Sequence, residues 1–131
     1  MRYMLLQLGT LADWQVLGSL AAADREAHRA FLRDLDRQLL VAGELVRAIG
    51  LVGPEAGKIV RAQPGGTPAV TPARFGAGQE FLAGCWIVDC DSPARVTEIA
   101  ARVSAAPGRA GVALDLPVEV RVVMRAPGEE M

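Results

Sequence analysis

The amino-acid sequence predicts an α+β domain in which two helices lie over one face of an antiparallel sheet. Three observations carry the prediction. The chain opens with a strand-like run, Arg2-Tyr3-Met4-Leu5-Leu6-Gln7-Leu8. The set His28, Phe31, Leu32, Leu35, Leu39 then recurs at steps of three and four, the period of an amphipathic helix. Later, Phe81 to Asp89 reads as a second long strand, and Ser92-Pro93 opens another amphipathic run.

Taken in order, residues 2–8 carry large apolar side chains on both faces and stop at Gly9-Thr10, as an interior strand does. Residues 10–22 read as a loop bearing Trp14, with Ser19 or Asp24 placed to cap the first helix. That helix covers 22–42. Its outer surface is taken by Asp24, Glu26, Arg29, Arg33, Asp34 and Arg37, and Gly43 stands as its C-terminal stop. Residues 44–51 form a second strand closed by Gly53-Pro54. Two short strands, 58–63 and 69–73, flank Pro64-Gly65-Gly66, a hairpin signal. The loop Phe75-Gly76-Ala77-Gly78 leads into the strand ending at Asp89, which holds Gly84 in its interior.

The second helix runs from Ser92-Pro93 through Val96, Ile99, Ala100 and Val103 to Ala106, and Pro107-Gly108 ends it. Residues 112–124 make the last strand, Val118, Val120 and Val122 alternating with Glu119, Arg121 and Val123. We read 1–124 as a single domain and 125–131 as a flexible C-terminal tail. The order is βαββαβ with an extra hairpin in the middle, that of a ferredoxin-like sandwich. Both helices then cover one sheet face, and the other face is bare in a monomer.

Bulk properties agree with a soluble homodimer. The chain has 131 residues, 51% of them hydrophobic, and a mean hydropathy of +0.25. No run approaches the roughly 18 apolar residues of a membrane span, and the N-terminus lacks the pattern of a signal peptide. The apolar surplus is explained if two bare sheet faces pack together. Net charge is −1, and the basic residues are scattered arginines with one lysine, Lys58, so nucleic acid is not an expected partner. Cys85 and Cys90 stand five apart, on opposite faces of one strand, and read as reduced thiols of a cytoplasmic protein.

The chain resembles the YCII-related proteins, in particular the branch named for a DGPF motif. The resemblance rests on Tyr3-Met4-Leu5-Leu6, on Ala27-His28-Arg29-Ala30-Phe31, on Phe75 with Glu80-Phe81-Leu82-Ala83-Gly84 and Ile87-Val88-Asp89, and on the ending Val118 to Met124. It spans nearly the whole chain and implies a dimeric α/β-barrel with a cleft between the sheet and the first helix. In the wider superfamily it implies lyases, isomerases and dehalogenating enzymes that use a His and a carboxylate. The motif itself departs here: aligned on Phe75, D-G-P becomes Pro72-Ala73-Arg74, and the acidic and lysine positions become Ala77 and Gln79. Of the motif, Phe75 and Glu80 remain.

His28, the single histidine, is the leading candidate for chemistry, since an imidazole in a cleft is a natural general acid or base. The plainer reading is a core-edge residue bound to a carbonyl or to Asp24 one turn earlier. Glu80, at the start of the strand, either anchors a loop or supplies a carboxylate, and Asp24 is the other candidate; Asp34 lies on the wrong face. Candidate ligand-binding residues are Gln7, Trp14, Arg74, Phe75 and Trp86, with Arg47 as a further anion-holding arginine. One histidine, no CxxC and no HExxH leave no metal site, and Gly76-Ala77-Gly78 lacks the context of a phosphate loop, so no cofactor is expected. Two functions fit: a protein that binds a small hydrophobic or anionic organic molecule, or a cofactor-independent lyase, isomerase or cyclase in a biosynthetic or catabolic pathway, with His28 as general acid/base. A structural partner of another protein is a third reading with no residue speaking for it.

Overall fold

A computed structural model describes residues 1–125, and within them the chain is a two-layer α+β sandwich. Strands β1 (Arg2–Gly9), β2 (Leu45–Gly50), β5 (Phe81–Asp89) and β6 (Val118–Val122) form a sheet in the order β2-β5-β1-β6, every pair antiparallel. β3 (Lys58–Arg61) and β4 (Ala69–Pro72) pair only with each other, as a hairpin inserted between β2 and β5. The order is that of a ferredoxin-like sandwich with an added hairpin, and the expected tail beyond Arg125 lies outside the described residues.

Helices α2 (Ala22–Val41) and α3 (Pro93–Ser104) cover one face of the sheet. The core between them joins Tyr3, Leu5, Trp86 and Val88 of the sheet to Leu35 and Leu39 of α2 and to Val96, Ile99 and Val103 of α3. Burying each such side chain favours folding by about 1.5–3 kcal/mol. The end of α2 follows from Gly43, which adopts the left-handed region at φ 74°, while Glu44 N–H donates to the Leu39 carbonyl and Gly43 N–H to that of Leu40. This paired closure needs a residue without a Cβ penalty, and it aims the chain straight into β2. Helix α3 starts where Ser92 Oγ accepts the Arg95 N–H at 3.1 Å, ahead of Pro93. Arg95 then grips Glu44 through Nε at 2.9 Å and Nη2 at 2.7 Å, tying the α2–β2 turn to α3. That guanidinium holds the Glu44 carboxyl below its ordinary pKa, against the opposing effect of burial.

Three expectations are corrected. Residues 10–22 are not a loop: Leu11–Gly18 form a helix, α1, closed at its start by Thr10 and Asp13, each side chain accepting from the other's backbone N–H. Its apolar residues lie on all sides, with none fully buried, so no stripe announced it. Helix α2 begins at Ala21 without a side-chain cap, so neither Ser19 nor Asp24 serves there. The last strand starts at Val118, not at residue 112. Residues 107–116 instead make a tight loop with Ala110 at φ 53° and Asp115 at φ 54°, conformations that cost about 1 kcal/mol or more each outside glycine.

The second face of the sheet carries no helix. Across it run two rows, Arg47–Ile87–Met4–Arg121 and Ile49–Cys85–Leu6–Glu119, apolar but for the arginines at both ends of the first and Glu119 at one end of the second. Cys85 lies on this face, half-buried; Cys90 lies just past the strand, buried, and burial pushes its thiol pKa up, away from the reactive thiolate. Among the described residues no helix is long and apolar enough to cross a membrane.

Candidate functional site

A cleft of about 480 Å³ opens between the helix-covered face of the sheet, α1 and α2. It exists because side chains are missing from its floor. Gly84 pairs with Gly50 on one side and with Gln7 on the other, so the sheet presents bare backbone where neighbouring rows carry Trp86 and Leu5. A Cβ on Gly84 would sit 2.9 Å from the Ile49 carbonyl oxygen, closer than real Cβ atoms come. Glycine inside this strand is therefore demanded by the close approach of β2, and the cleft is its consequence. The walls are apolar: Trp14 and Leu17 from α1, Leu20 from the following turn, Leu32 from α2, Trp86 from β5 and Leu116 from the last loop.

Four charged or titratable side chains line this apolar space, all on one stripe of α2: Arg25, His28, Arg29 and Asp36. His28 is half-buried, and its Nδ1 lies 3.0 Å from the Pro107 carbonyl oxygen. A carbonyl only accepts, so Nδ1 is the donor in this contact, and in the neutral ring the lone pair falls on Nε2. Arg25 Nη2 donates to the Leu20 carbonyl at 3.0 Å, which ties the turn after α1 to α2. Arg29 has no hydrogen-bond or ion-pair partner among the described residues. Asp36 Oδ1 accepts from Trp86 Nε1 at 2.8 Å, supplying the partner that a buried indole N–H needs. Two guanidiniums against one carboxylate leave the cleft with an excess of positive charge around His28.

The residues singled out in the sequence divide clearly. His28, Gln7, Trp14 and Trp86 line the cleft together. Phe75 stands behind the wall: its ring packs on buried Phe81 at 5.2 Å, and Phe81 in turn meets the edge of Trp14 at 6.3 Å. It supports the wall without reaching the cleft. Arg74 and Glu80 are exposed and outside the cleft lining, as is Arg47 on the open sheet face. Asp24 does not orient His28; its Oδ2 accepts the Ala110 N–H at 3.2 Å and so holds the strained 107–116 loop. Thus Asp24 and His28 both clamp that loop from α2, one through Ala110 and one through Pro107.

Sequence reading missed Arg25, Leu17, Leu20, Asp36 and Leu116, and it placed Arg29 on the outer surface of the helix although that residue lines the cleft. Arg25, Arg29, Leu32 and Asp36 do share a helical stripe with steps of four, three and four, a signal open to inspection. The contribution of α1 and Leu116 had no such signal, since it arises from chain segments that meet only in three dimensions. Among the described residues no group of three or more His, Cys, Asp or Glu side chains converges as a metal site would require.

Compared with known families, the chain matches the model described as the YCII-related domain over residues 1–120. No curated protein matches it.

Proposed function

Starting from its membership of the YCII-related family, we propose that this protein binds a small organic acid with an apolar body in the cleft beside His28. One observation carries the reading: a cleft of about 480 Å³ with apolar walls has Arg29, unpaired among the described residues, and Arg25 beside His28 on its helical side. That volume is in the range of small-molecule sites, roughly 300–1,000 Å³. A guanidinium without an internal partner is suited to a carboxylate, which it binds through two parallel N–H donors. The bare backbone of Gly50 and Gly84 gives the ligand a flat floor, and Trp14 and Trp86 give it aromatic walls.

The test is calorimetric titration with phenylpropanoate and with its neutral amide. The acid should bind and the amide should bind more weakly, with the difference lost in Arg29→Met. Equal binding of acid and amide refutes the anionic part of the reading; no binding of either refutes the whole.

A second reading, an isomerase or lyase without a cofactor, is favoured by the state of His28. With Nδ1–H held by Pro107, the neutral ring offers Nε2 as the nitrogen that can accept a proton. It takes a proton from carbon and returns it to another carbon, or keeps it while a leaving group departs. Neither Glu80 nor Asp24 supports it, so the base acts alone. Exchange of ligand C–H for deuterium in heavy water, followed by NMR and lost in His28→Gln, distinguishes turnover from binding.

The bare sheet face fits a second copy of the chain. Met4, Leu6, Cys85, Ile87 and Ile49 offer an apolar centre, and Arg47, Arg121 and Glu119 a charged rim with no partner of their own among the described residues. Free cysteines on and near this face suit a reducing compartment, and we place the homodimer in the cytoplasm.

A further inference from the structure

We infer that the cleft selects an organic acid whose far end carries a hydrogen-bond donor, and that Asp36 is the residue that reads this donor. The inference rests on the organic-acid reading above and narrows it. Asp36 lies on the same stripe of α2 as Arg25 and Arg29 but seven residues beyond Arg29, about 10 Å along the helix axis. The cleft is therefore bipolar. Its Arg25–His28–Arg29 end faces α1, and its Asp36 end faces Trp86.

The chemistry of Asp36 goes beyond what Trp86 requires. An indole N–H is a single donor, and a neutral amide or a carbonyl would satisfy it. A half-buried carboxylate beside apolar walls retains acceptor positions on Oδ2 and costs desolvation that one indole bond offsets only in part. Elsewhere this protein meets the same cost with a guanidinium: the shielded Glu44 has Arg95 on both of its oxygens. Among the described residues Asp36 has no such cation, and neither Arg25 nor Arg29 forms an ion pair with it. Asp36 lines the cleft. A ligand hydroxyl or ammonium completes its hydrogen bonding, while the carboxylate of the same ligand lies toward Arg29.

Three probes separate the possibilities: phenylpropanoate, para-hydroxyphenylpropanoate and para-(aminomethyl)phenylpropanoate. All carry the acid; the second adds a neutral donor and the third a charged one. Calorimetry on the wild-type protein should show at least one donor-bearing acid binding about tenfold more tightly than phenylpropanoate, the scale of one charge-assisted hydrogen bond. Whichever of the two is tighter identifies the donor as hydroxyl or ammonium. Asp36→Asn keeps an oxygen for Trp86 and removes the charge, so it should bring the affinity ratio of the donor-bearing acid to phenylpropanoate down to about one. Wild-type protein that binds all three alike, or an Asn variant that keeps the preference, overturns the assignment of Asp36. If none of the three binds, the organic-acid reading falls with it; if all bind alike, that reading stands and this one fails. The comparison of ligands on the wild-type protein decides the matter even if the variant folds poorly.

Discussion

Replacing Gly84 by alanine puts a methyl group at the point where β2 and β5 come closest. The new Cβ would lie 2.9 Å from the Ile49 carbonyl oxygen and 3.6 Å from the Gly50 Cα. Neither atom can swing aside as a side-chain tip can, since Ile49 is fixed by its pairing with Cys85. Two effects oppose each other. Alanine restricts the unfolded chain and stabilises by about 0.4–1 kcal/mol. Relief of the overlap moves a strand within a packed sheet, at about 1–3 kcal/mol. The overlap wins, with a net loss of about 1–2 kcal/mol. For a domain of this length that lowers Tm by roughly 4–8 °C, read by circular dichroism on heating. Gly50→Ala is the control, because a Cβ there meets nothing within 4 Å. It should leave Tm unchanged or slightly raised while its methyl on the cleft floor weakens binding of phenylpropanoate. A Gly84→Ala protein as stable as the parent would refute the close-approach argument, and a Gly50→Ala protein with undiminished binding would refute the role of the bare floor.

Other outcomes follow from single contacts. Glu44 is held below its ordinary pKa of 4.5 by Arg95, so its contribution is complete above that pH and is lost as pH falls through the depressed folded value. Glu44→Gln should therefore cost about 1 kcal/mol at neutral pH, after allowance for the exposure of Arg95, and progressively less in acid, as chemical denaturation across that range will show. His28→Ala removes one hydrogen bond, to the Pro107 carbonyl, and should cost about 1 kcal/mol in urea unfolding while weakening ligand binding in calorimetry; a stability loss with binding intact would make His28 a structural residue. Leu6→Glu places a charge at the centre of the bare sheet face, so light scattering should show the parent at twice 13.8 kDa and the variant at 13.8 kDa. A monomeric parent at micromolar concentration would refute the homodimer.

By itself the sequence determined what depends on neighbours along the chain. The apolar run Phe81–Asp89, the three-and-four recurrence from His28 to Leu39, the Ser92-Pro93 start and the Gly65-Gly66 turn are local signals, and the elements they predict are present. Their order was enough for the βαββαβ topology, because connection rules leave few ways to fold such a series. His28 was also legible, since the three-and-four recurrence puts it on the inward face of its helix, and it lines the cleft together with Gln7, Trp14 and Trp86. Helix α1 was not: its apolar residues show no stripe, and it is set by the reciprocal bonds of Thr10 and Asp13. Nor were the partnerships that define the site. Asp36 meets Trp86 from 50 positions away, His28 meets Pro107 from 79, and Asp24 meets Ala110 from 86. Only the tertiary structure decided these, because the packing of α2 on the sheet, and not the chain's local preference, chooses which buried donor faces which acceptor.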